Sequence, residues 1–405
     1  MLTISSVWIE PLAKLGFDVL TYKTVREISA PAHAFPNCVY LPELSSPMPI
    51  VDRSHPVHAS FEIPDKKISE ISMANSFGMP SPPVKEWQED IQKTLRVLNS
   101  GQILIVSVVG TVMRPGDDLC ASFVRCARLA NEVGPHAIEL NFSCPNVFVK
   151  EEGSVFLNPE LAGRIARSVR SELPEAKILV KIGYLRKVEL AKFVDATYMY
   201  VNGYTGINSV PIRVVSTGQR EEPAFPGSNR GKPGVSGVAI RNYALQTVKN
   251  LSEMAAVRRE GLAIIGVGGI STVEDVKEFL AAGATCVQLC TAAMLNPFVA
   301  AEIRKQLVAE DYSRSHSRIL GRSGLPVPFE DPTSATAFDF TLEACAELNV
   351  PFEIGYAALH KNWLAGYMGT LKDVGKSGST QVKTRRDAPT RNQILEWVRS
   401  EANKK

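Results

Sequence analysis

The sequence predicts an α/β fold of the (β/α)8 TIM-barrel type, in which parallel strands alternate with helices along the chain. From residue 17 to about residue 300, short β-branched runs alternate with amphipathic stretches of helical spacing. The runs are almost continuously hydrophobic and are followed by Gly, Asn or Pro, as in strands that a parallel sheet buries on both faces. A doubly wound sheet is the alternative, but no GxGxxG motif follows the first run, and this weighs against it.

Seven candidate strands follow one another, whereas a barrel of this type has eight. They cover residues 17–22, 103–109, 137–142, 178–182, 197–202, 263–268 and 286–290. The chain opens with an amphipathic stretch, residues 6–16, which ends in Gly16 and predicts a helix with a glycine C-cap. The strand that should precede this helix is missing. Either the sequence is truncated at its start, which we favour, or the fold closes the gap in another way.

Three stretches between the candidate strands predict helices, which cover residues 117–133, 158–173 and 271–282. In the first of them, Leu, Phe, Cys and Ala residues recur at helical spacing. The third begins with a Ser-Thr pair followed by two acidic residues. A capping hydroxyl with acids in the first turn favours a helix N-terminus.

Two long insertions interrupt the alternation of strands and helices. Residues 25–85 are rich in Pro, Ser and His, and residues 203–236 are rich in Gly and Pro. Loops of this length inside a compact domain are usually functional lids. The sequence therefore predicts that both insertions cover a site on the barrel.

The chain divides into a barrel, residues 1–309, and a C-terminal extension of unknown role, residues 310–405. Within the extension, residues 335–348 and 390–400 predict helices, and residues 371–386 predict a linker. The last 35 residues are basic. They predict a solvated, partly frayed tail, and docking to a partner or to nucleic acid is the alternative.

Composition excludes several functional classes. Of the 405 residues, 45% are hydrophobic and the net charge is +3, so the electrostatic case for binding nucleic acid or a membrane surface is weak. No apolar run approaches the roughly 18 residues that a membrane span needs. Seven scattered cysteines without a CxxC pair encode neither a zinc ribbon nor an iron–sulfur cluster, so no metal site is predicted. Free cysteines favour a reducing, cytoplasmic setting.

Glycine-rich turns near the end of the barrel pattern predict a phosphate site. Gly268 and Gly269 lie between a strand and a helix, Thr291 follows the next strand, and Gly237 lies in a similar turn. Glycines let backbone N–H groups approach an anion at a helix N-terminus, and barrels often bind phosphate after strands seven and eight. The pattern predicts a phosphorylated, nucleotide-like ligand. Two tight turns without a ligand are the alternative.

Three further segments carry candidate chemistry. Cys144 lies between Asn141 and Asn146 in a polar loop after a strand, and a thiol of ordinary pKa, about 8.5, can act as a general base with little tuning. Lys181 lies within an apolar strand, where an ammonium group must face a polar site, and Lys23 repeats this pattern on an earlier strand. The loop at residues 74–81 combines an amide, a glycine and apolar side chains, which suits a small planar polar ring.

These motifs together carry a family resemblance. NSFGMPS, NFSCPN, VKIG, GVSGVAI and IIGVGGISTVEDV occur in this order, with Thr291 after them. Over roughly residues 6–305 the chain resembles the class 1 dihydroorotate dehydrogenases, and it is also similar to the pyrimidine-binding flavin domain of dihydropyrimidine dehydrogenase. The resemblance implies an FMN-dependent oxidoreductase of pyrimidine biosynthesis that converts (S)-dihydroorotate to orotate. Reduction of uracil or thymine is one alternative, and a flavin-free, inactive or truncated barrel is another.

The resemblance also implies roles for single residues. Cys144 would take a proton from substrate C5 while C6 gives a hydride to flavin N5, with Lys181 near the N1 side of the flavin. The residues implied to hold the pyrimidine ring are Asn75, Gly78, Met79, Asn141, Asn146 and Asn202. Those implied to hold FMN are Lys23, Thr24 and Lys181, and those implied for its phosphate are Gly237, Gly268, Gly269 and Thr291.

The chain departs from the family pattern at three points. The flavin loop after strand one is absent together with that strand, and the phosphate-loop Gly-Thr is Cys290-Thr291. The Asn-Ser or Asn-Thr pair after strand six is read here as Asn202-Gly203, so one hydroxyl contact to substrate would be lost. The implied partners are a small pyrimidine substrate, a second copy of the chain in a homodimer, and a separate electron-transfer subunit. Neither nucleic acid nor a membrane is implied.

Overall fold

The computed structural model describes two compact units, Met1–Arg318 and Ile319–Lys405. The described residues are 3–51, 53–112, 116–143, 154–217, 221–227 and 230–316, followed by 340, 344–345, 347–348, 350, 358, 362 and 389–403. For residues 308–316 only the backbone is described.

The first unit contains thirteen strands among its described residues, numbered in chain order. They are β1 (Val19–Val25), β2 (Cys38–Tyr40), β3 (Val57–Ala59), β4 (Ser72–Asn75), β5 (Ile103–Val108), β6 (Ala137–Asn141), β7 (Ile178–Ile182), β8 (Gly203–Gly206), β9 (Val210–Pro211), β10 (Val214–Ser216), β11 (Gly234–Gly237), β12 (Ala263–Val267) and β13 (Cys286–Gln288).

The helices are numbered in the same way. They are α1 (Ser6–Lys14), α2 (Val84–Val97), α3 (Leu119–Asn131), α4 (Pro159–Glu172), α5 (Lys187–Thr197), α6 (Arg241–Glu253), α7 (Ala255–Arg259), α8 (Val273–Ala281), α9 (Thr291–Leu295) and α10 (Val299–His316). Short 3-10 turns cover Ile68–Glu70, Val155–Leu157, Tyr198–Tyr200 and Val238–Ile240.

A parallel sheet of seven strands forms the centre of the first unit, in the order β1-β5-β6-β7-β8-β12-β13. Each of its neighbouring pairs is parallel. The sheet curls so that its two edge strands come close together. Gln288 on β13 donates a hydrogen bond of 2.7 Å to Thr21 on β1. Parallel order and connecting helices confirm the predicted barrel-type α/β fold, with seven strands in the described part of the chain.

The helices begin where the sequence patterns predict them. Asp118 accepts a hydrogen bond from the amide of Cys120 at the start of α3, and Asn158 accepts one from Leu161 at the start of α4. Thr272 forms a capping box at the start of α8. Such caps satisfy amide groups that have no partner within the helix. The glycine predicted to end α1, Gly16, has a φ of +89°.

One predicted strand is wrong. Residues 197–202 read as a strand from their Tyr and Val content, yet Tyr198–Tyr200 forms a 3-10 turn at the end of α5. The strand is β8, whose sequence is Gly-Tyr-Thr-Gly. A Cβ at Gly203 would clash with the carbonyl oxygen of Ala263 on the neighbouring strand β12. Close packing there requires a glycine, and this removes the β-branched signal on which the prediction depended.

The interior of the curled sheet changes character along the strands. Near the amino ends an apolar cluster fills it, made by Val19, Ile105, Ala137, Leu179, Ile265 and Cys286. The residues that follow this cluster by two positions on β5, β6 and β7 are Ser107, Glu139 and Lys181. Side chains two apart on a strand point to the same face. The interior therefore becomes polar toward the carboxyl ends of the strands, where barrel enzymes place their active sites.

The two insertions pair with each other. β2, β4, β11 and β9 form a four-stranded antiparallel sheet, and β3 pairs with β10 in parallel. In both sheets a strand from residues 25–85 lies beside one from residues 203–236. The predicted lids are thus one joined structure.

The second unit has its own small apolar core. Its described buried residues are Ala344, Cys345, Ala358, Ile394 and Val398. The last two lie on a helix, Arg391–Ala402, which Thr390 caps. The helix predicted over residues 390–400 is therefore confirmed, and the predicted solvated tail buries two apolar side chains of this helix.

Candidate active site

A cavity of about 1820 Å³ lies at the carboxyl ends of the barrel strands, beneath the paired insertions. It is lined by residues from most of the central strands and from both insertions. Among the predicted site residues, those that the structure brings to this cavity are Lys23, Thr24, Asn75, Gly78, Met79, Asn141, Lys181, Gly237, Gly268, Gly269 and Thr291. Residues that lie up to 268 positions apart in the sequence therefore line one cavity.

Two predicted residues, Cys144 and Asn146, lie outside the described residues. The segment that leads to them is described. Asn141 ends β6 and Ser143 follows it, and both line the cavity. The loop that carries the predicted base therefore starts at the cavity.

The prediction that Asn202 contacts the substrate needs correction. Asn202 precedes β8 at the amino end of the barrel, away from the cavity. Its Oδ1 accepts hydrogen bonds from Arg170, at 2.7 Å, and from the amide of Ile178, at 2.8 Å. The side chain thus holds two barrel strands and a helix together. The error follows from the misplaced strand, which put Asn202 at a carboxyl end.

Asn208 and Ser209 are the residues that the sequence reasoning missed. They follow β8 at its carboxyl end and line the cavity. Asn208 donates a hydrogen bond of 2.6 Å to Ser143 on the loop after β6. The Asn-Ser pair that the resemblance implies after this strand is therefore present, and the expected loss of a hydroxyl does not occur. A search for Asn-Ser beyond residue 202 would have found it.

Lys181 is half-buried near the end of β7. In register it lies between Asn141 on β6 and Thr205 on β8. Its side chain shares the cavity with Lys23 from β1. Two ammonium groups facing one cavity favour a ligand that carries or develops negative charge.

The turns predicted for phosphate share one side of the cavity. Gly237 has a φ of +89° and Gly269 a φ of +70°. A Cβ at Gly269 would lie 2.8 Å from the carbonyl oxygen of Gly237 and 2.7 Å from Cβ of Arg241. Thr291 donates a hydrogen bond of 3.0 Å to Ser236 next to Gly237. These contacts hold three loops together where backbone amides can meet an anion.

The insertions form the opposite wall. Asn75 at the end of β4 donates to the carbonyl of Gly234, at 3.2 Å. The buried guanidinium of Arg230 donates to the hydroxyl and carbonyl of Ser76 and to the carbonyls of Ala34, Pro36 and Pro226. All five N–H donors of an arginine are used. Both insertions are thereby fixed against each other above the cavity.

The described cysteines differ in their suitability as bases. Burial raises the pKa of Cys126 to about 12. Burial, and to a smaller extent the proximity of Cys290, raise the pKa of Cys38 to about 11. A raised thiol pKa keeps both in the neutral form at pH 7, so neither is a ready base.

The curled parallel sheet, with its polar cavity at the carboxyl ends of the strands, defines a barrel enzyme. The dihydroorotate dehydrogenase family model matches residues 62–310. A dihydroorotate dehydrogenase of Dictyostelium discoideum is 33% identical over 305 residues, which cover 73% of this chain and 80% of that protein.

Bacterial relatives give the same result. The catalytic subunit of dihydroorotate dehydrogenase B (NAD(+)) from Anoxybacillus flavithermus is 30% identical over 257 residues, 60% of this chain and 77% of that protein. The same subunit from Bacillus mycoides is 37% identical over 179 residues, 43% and 53% of the two chains. The chain belongs to the dihydroorotate dehydrogenase family and is an oxidoreductase of the CH–CH class.

No helix among the described residues is both long and apolar enough to cross a membrane. No group of three or more His, Cys, Asp or Glu side chains in the same residues could hold a metal ion.

Proposed function

We propose that this chain catalyses the FMN-dependent oxidation of (S)-dihydroorotate to orotate. The observation that carries the proposal is the meeting, in one cavity, of the amide side chains, lysines and glycine turns of the family motifs. Amide side chains match the alternating donors and acceptors on the edge of a pyrimidine ring. Asn75, Asn141 and Asn208 would supply them here, with Asn146 in addition. A homodimer and a separate electron-transfer subunit are part of the proposal.

The cavity fits FMN together with a pyrimidine. Its volume of about 1820 Å³ exceeds the roughly 300–1,000 Å³ of most pockets for a single small ligand. The left-handed conformations at Gly237 and Gly269, and the carbonyl oxygen that a Cβ at Gly269 would meet, make a cradle that only glycine can form. Lys181 and Lys23 would contact the FMN ring system.

The reaction breaks two C–H bonds of the substrate and forms its C5=C6 double bond. Cys144, as a thiolate, would accept the proton from C5, so that its S–H bond forms as the C5 electron pair moves into the new double bond. When bound, FMN supplies the redox chemistry by accepting at N5 the hydride that leaves C6. Lys181 would stabilise the negative charge that enters the site with the hydride. The asparagines would hold the ring in the orientation that both transfers need.

A visible absorbance spectrum followed by anaerobic addition of dihydroorotate tests the proposal. We expect flavin absorbance in the purified protein and its bleaching by dihydroorotate. If dihydroorotate leaves the flavin absorbance unchanged while the reaction with uracil or thymine changes it, the substrate is uracil or thymine and not dihydroorotate. A protein that stays colourless after incubation with FMN would support the flavin-free alternative and overturn the proposal.

The glycine cradle gives a separate prediction. Gly269→Ala should cost about 1–3 kcal/mol of stability from left-handed strain, and it should also lower the FMN content, because the new Cβ meets the carbonyl of Gly237. Gly134→Ala is the matched control, since Gly134 has a φ of +78° but nothing within 4 Å of its Cβ position. The control should lose only the part of the stability that left-handed strain costs, and it should keep its FMN. Thermal unfolding and flavin absorbance per chain measure both effects, and equal FMN content in the two variants would contradict the cradle.

A further inference from the structure

Glu139 is a buried carboxylate inside the barrel that no step above uses. It lies on β6, is 1% exposed and lines the cavity. Its Oε1 accepts a hydrogen bond of 3.0 Å from Ser107, while Oε2 has no hydrogen-bond partner among the described residues. Burying a carboxylate is costly, and a buried polar atom without a partner needs an explanation.

A chain of hydrogen bonds leads from this carboxylate to the substrate face of the cavity. The hydroxyls of Ser107 and Thr24 lie 3.0 Å apart, and Asn141 donates from Nδ2 to Thr24, also at 3.0 Å. A carboxylate only accepts hydrogen bonds. Ser107 must therefore donate to Glu139, so that Thr24 donates to Ser107 and has its lone pairs free for Asn141. The charge at one end fixes the direction of every bond.

The chain continues on the other side of the Asn141 amide. Its Oδ1 accepts from the hydroxyl of Ser143 at 2.9 Å, and that hydroxyl accepts from Nδ2 of Asn208 at 2.6 Å. Oδ1 of Asn208 accepts from the amide of Ser209 at 2.9 Å. In both Asn141 and Asn208 the side-chain oxygen accepts a hydrogen bond, and one of the two side-chain N–H groups donates one. The other N–H group is left for a ligand in the cavity.

We propose that Glu139 is a positioning residue for substrate binding: its carboxylate sets the direction of the bonds through Ser107 and Thr24 and so presents an N–H group of Asn141 to a ring carbonyl oxygen. The inference rests on the proposed function for the identity of the substrate. Without the negative charge, the hydroxyls of Ser107 and Thr24 can rotate, and Thr24 can turn its hydrogen toward Asn141. This favours a turned-over Asn141 amide against the long bond of 3.3 Å that the backbone amide of Ser143 donates to Oδ1. The turned-over amide would then present its oxygen to a substrate oxygen, which repels it.

Glu139→Gln tests this directly, because Gln keeps the size but can either donate to or accept from Ser107. We expect the KM for dihydroorotate and the Kd for orotate to rise about 10-fold, the upper end of the range for one lost hydrogen bond between neutral groups. Flavin absorbance reports orotate binding without turnover. FMN content and melting temperature should match those of Thr205→Val. Thr205 is an equally buried residue on β8 whose hydroxyl has no partner in the described structure.

Ser107→Ala supplies a second test, since it breaks the chain next to the carboxylate. It should raise both constants to a similar extent, and the double variant should be no weaker than the single ones, because the two residues act through one chain. Orotate affinities within twofold of the wild type in both single variants would overturn the inference. A wild-type flavin that dihydroorotate does not reduce would overturn the proposed function instead, so the two failures are distinguishable.

Discussion

Replacing Cys144 by alanine is expected to lower the rate of flavin reduction by dihydroorotate by about 10²–10⁴-fold, the contribution of a positioned general base. Without the thiolate, the group proposed to take the C5 proton is missing while the hydride leaves C6. Orotate binding and FMN content should change little, because the asparagines and glycine turns proposed to hold the two molecules are unchanged. Anaerobic stopped-flow reduction at saturating dihydroorotate measures the effect.

Two comparisons separate a lost base from a disturbed site. Cys120→Ala removes a thiol from α3, a half-buried position outside the cavity lining, and should leave the reduction rate unchanged. In the wild type the rate should rise with pH, because only the thiolate accepts a proton. Cys144→Ser should keep the size of the side chain but shift the rise to higher pH. A Cys144→Ala enzyme as fast as wild type would exclude this cysteine as the base.

Local patterns suffice for much of the barrel, because most of its strands are β-branched and three of its helices carry side-chain caps. Asp118, Asn158 and Thr272 are polar residues directly before apolar periodic stretches, and each caps a helix. The glycine turns are similarly local, since a left-handed conformation at Gly237 or Gly269 needs only glycine. The sequence alone therefore predicts the side of the cavity that the glycine turns form.

The rest depends on contacts that no local pattern contains. β8 is a strand because Gly203 and Gly206 let neighbouring elements approach closely, and these glycines make its sequence resemble a loop. Because the predicted strand covers residues 197–202, the prediction assigns the substrate contact to Asn202 instead of Asn208. The pairing of β4 with β11 joins residues about 160 positions apart, and only the folded chain shows that the two insertions form one wall.

Glu139 shows a second kind of limit. Its strand reads as a buried apolar run, and a single acid within such a run carries no sign of its partners. Ser107 and Thr24 are equally unremarkable in the sequence. Their role follows only from the barrel register, which places three neighbouring strands so that hydroxyl, carboxylate and amide meet in the interior.

The second large effect is expected at Lys181. Lys181→Met keeps the length of the side chain but removes the ammonium group, and it should slow flavin reduction by about 10²–10³-fold, the usual cost of removing one preorganised electrostatic group. The charge acts at the moment when hydride brings negative charge into the cavity. Because Lys181 is half-buried between Asn141 and Thr205, water screens it less than it would a surface lysine. FMN affinity should also fall.

Lys177→Met is the matched control for Lys181. Lys177 immediately precedes the same strand, β7, but is exposed at its amino end, so its replacement changes the net charge equally and should leave the reduction rate unchanged. Lys181→Arg should restore part of the rate, because the charge returns in a bulkier shape. Reduction rates measured at saturating FMN separate slower chemistry from lost cofactor. If the Lys181→Met enzyme with FMN bound were as fast as the Lys177→Met control, the lysine would serve only to hold FMN, and the charge that stabilises hydride transfer would have to come from Lys23 or from backbone groups.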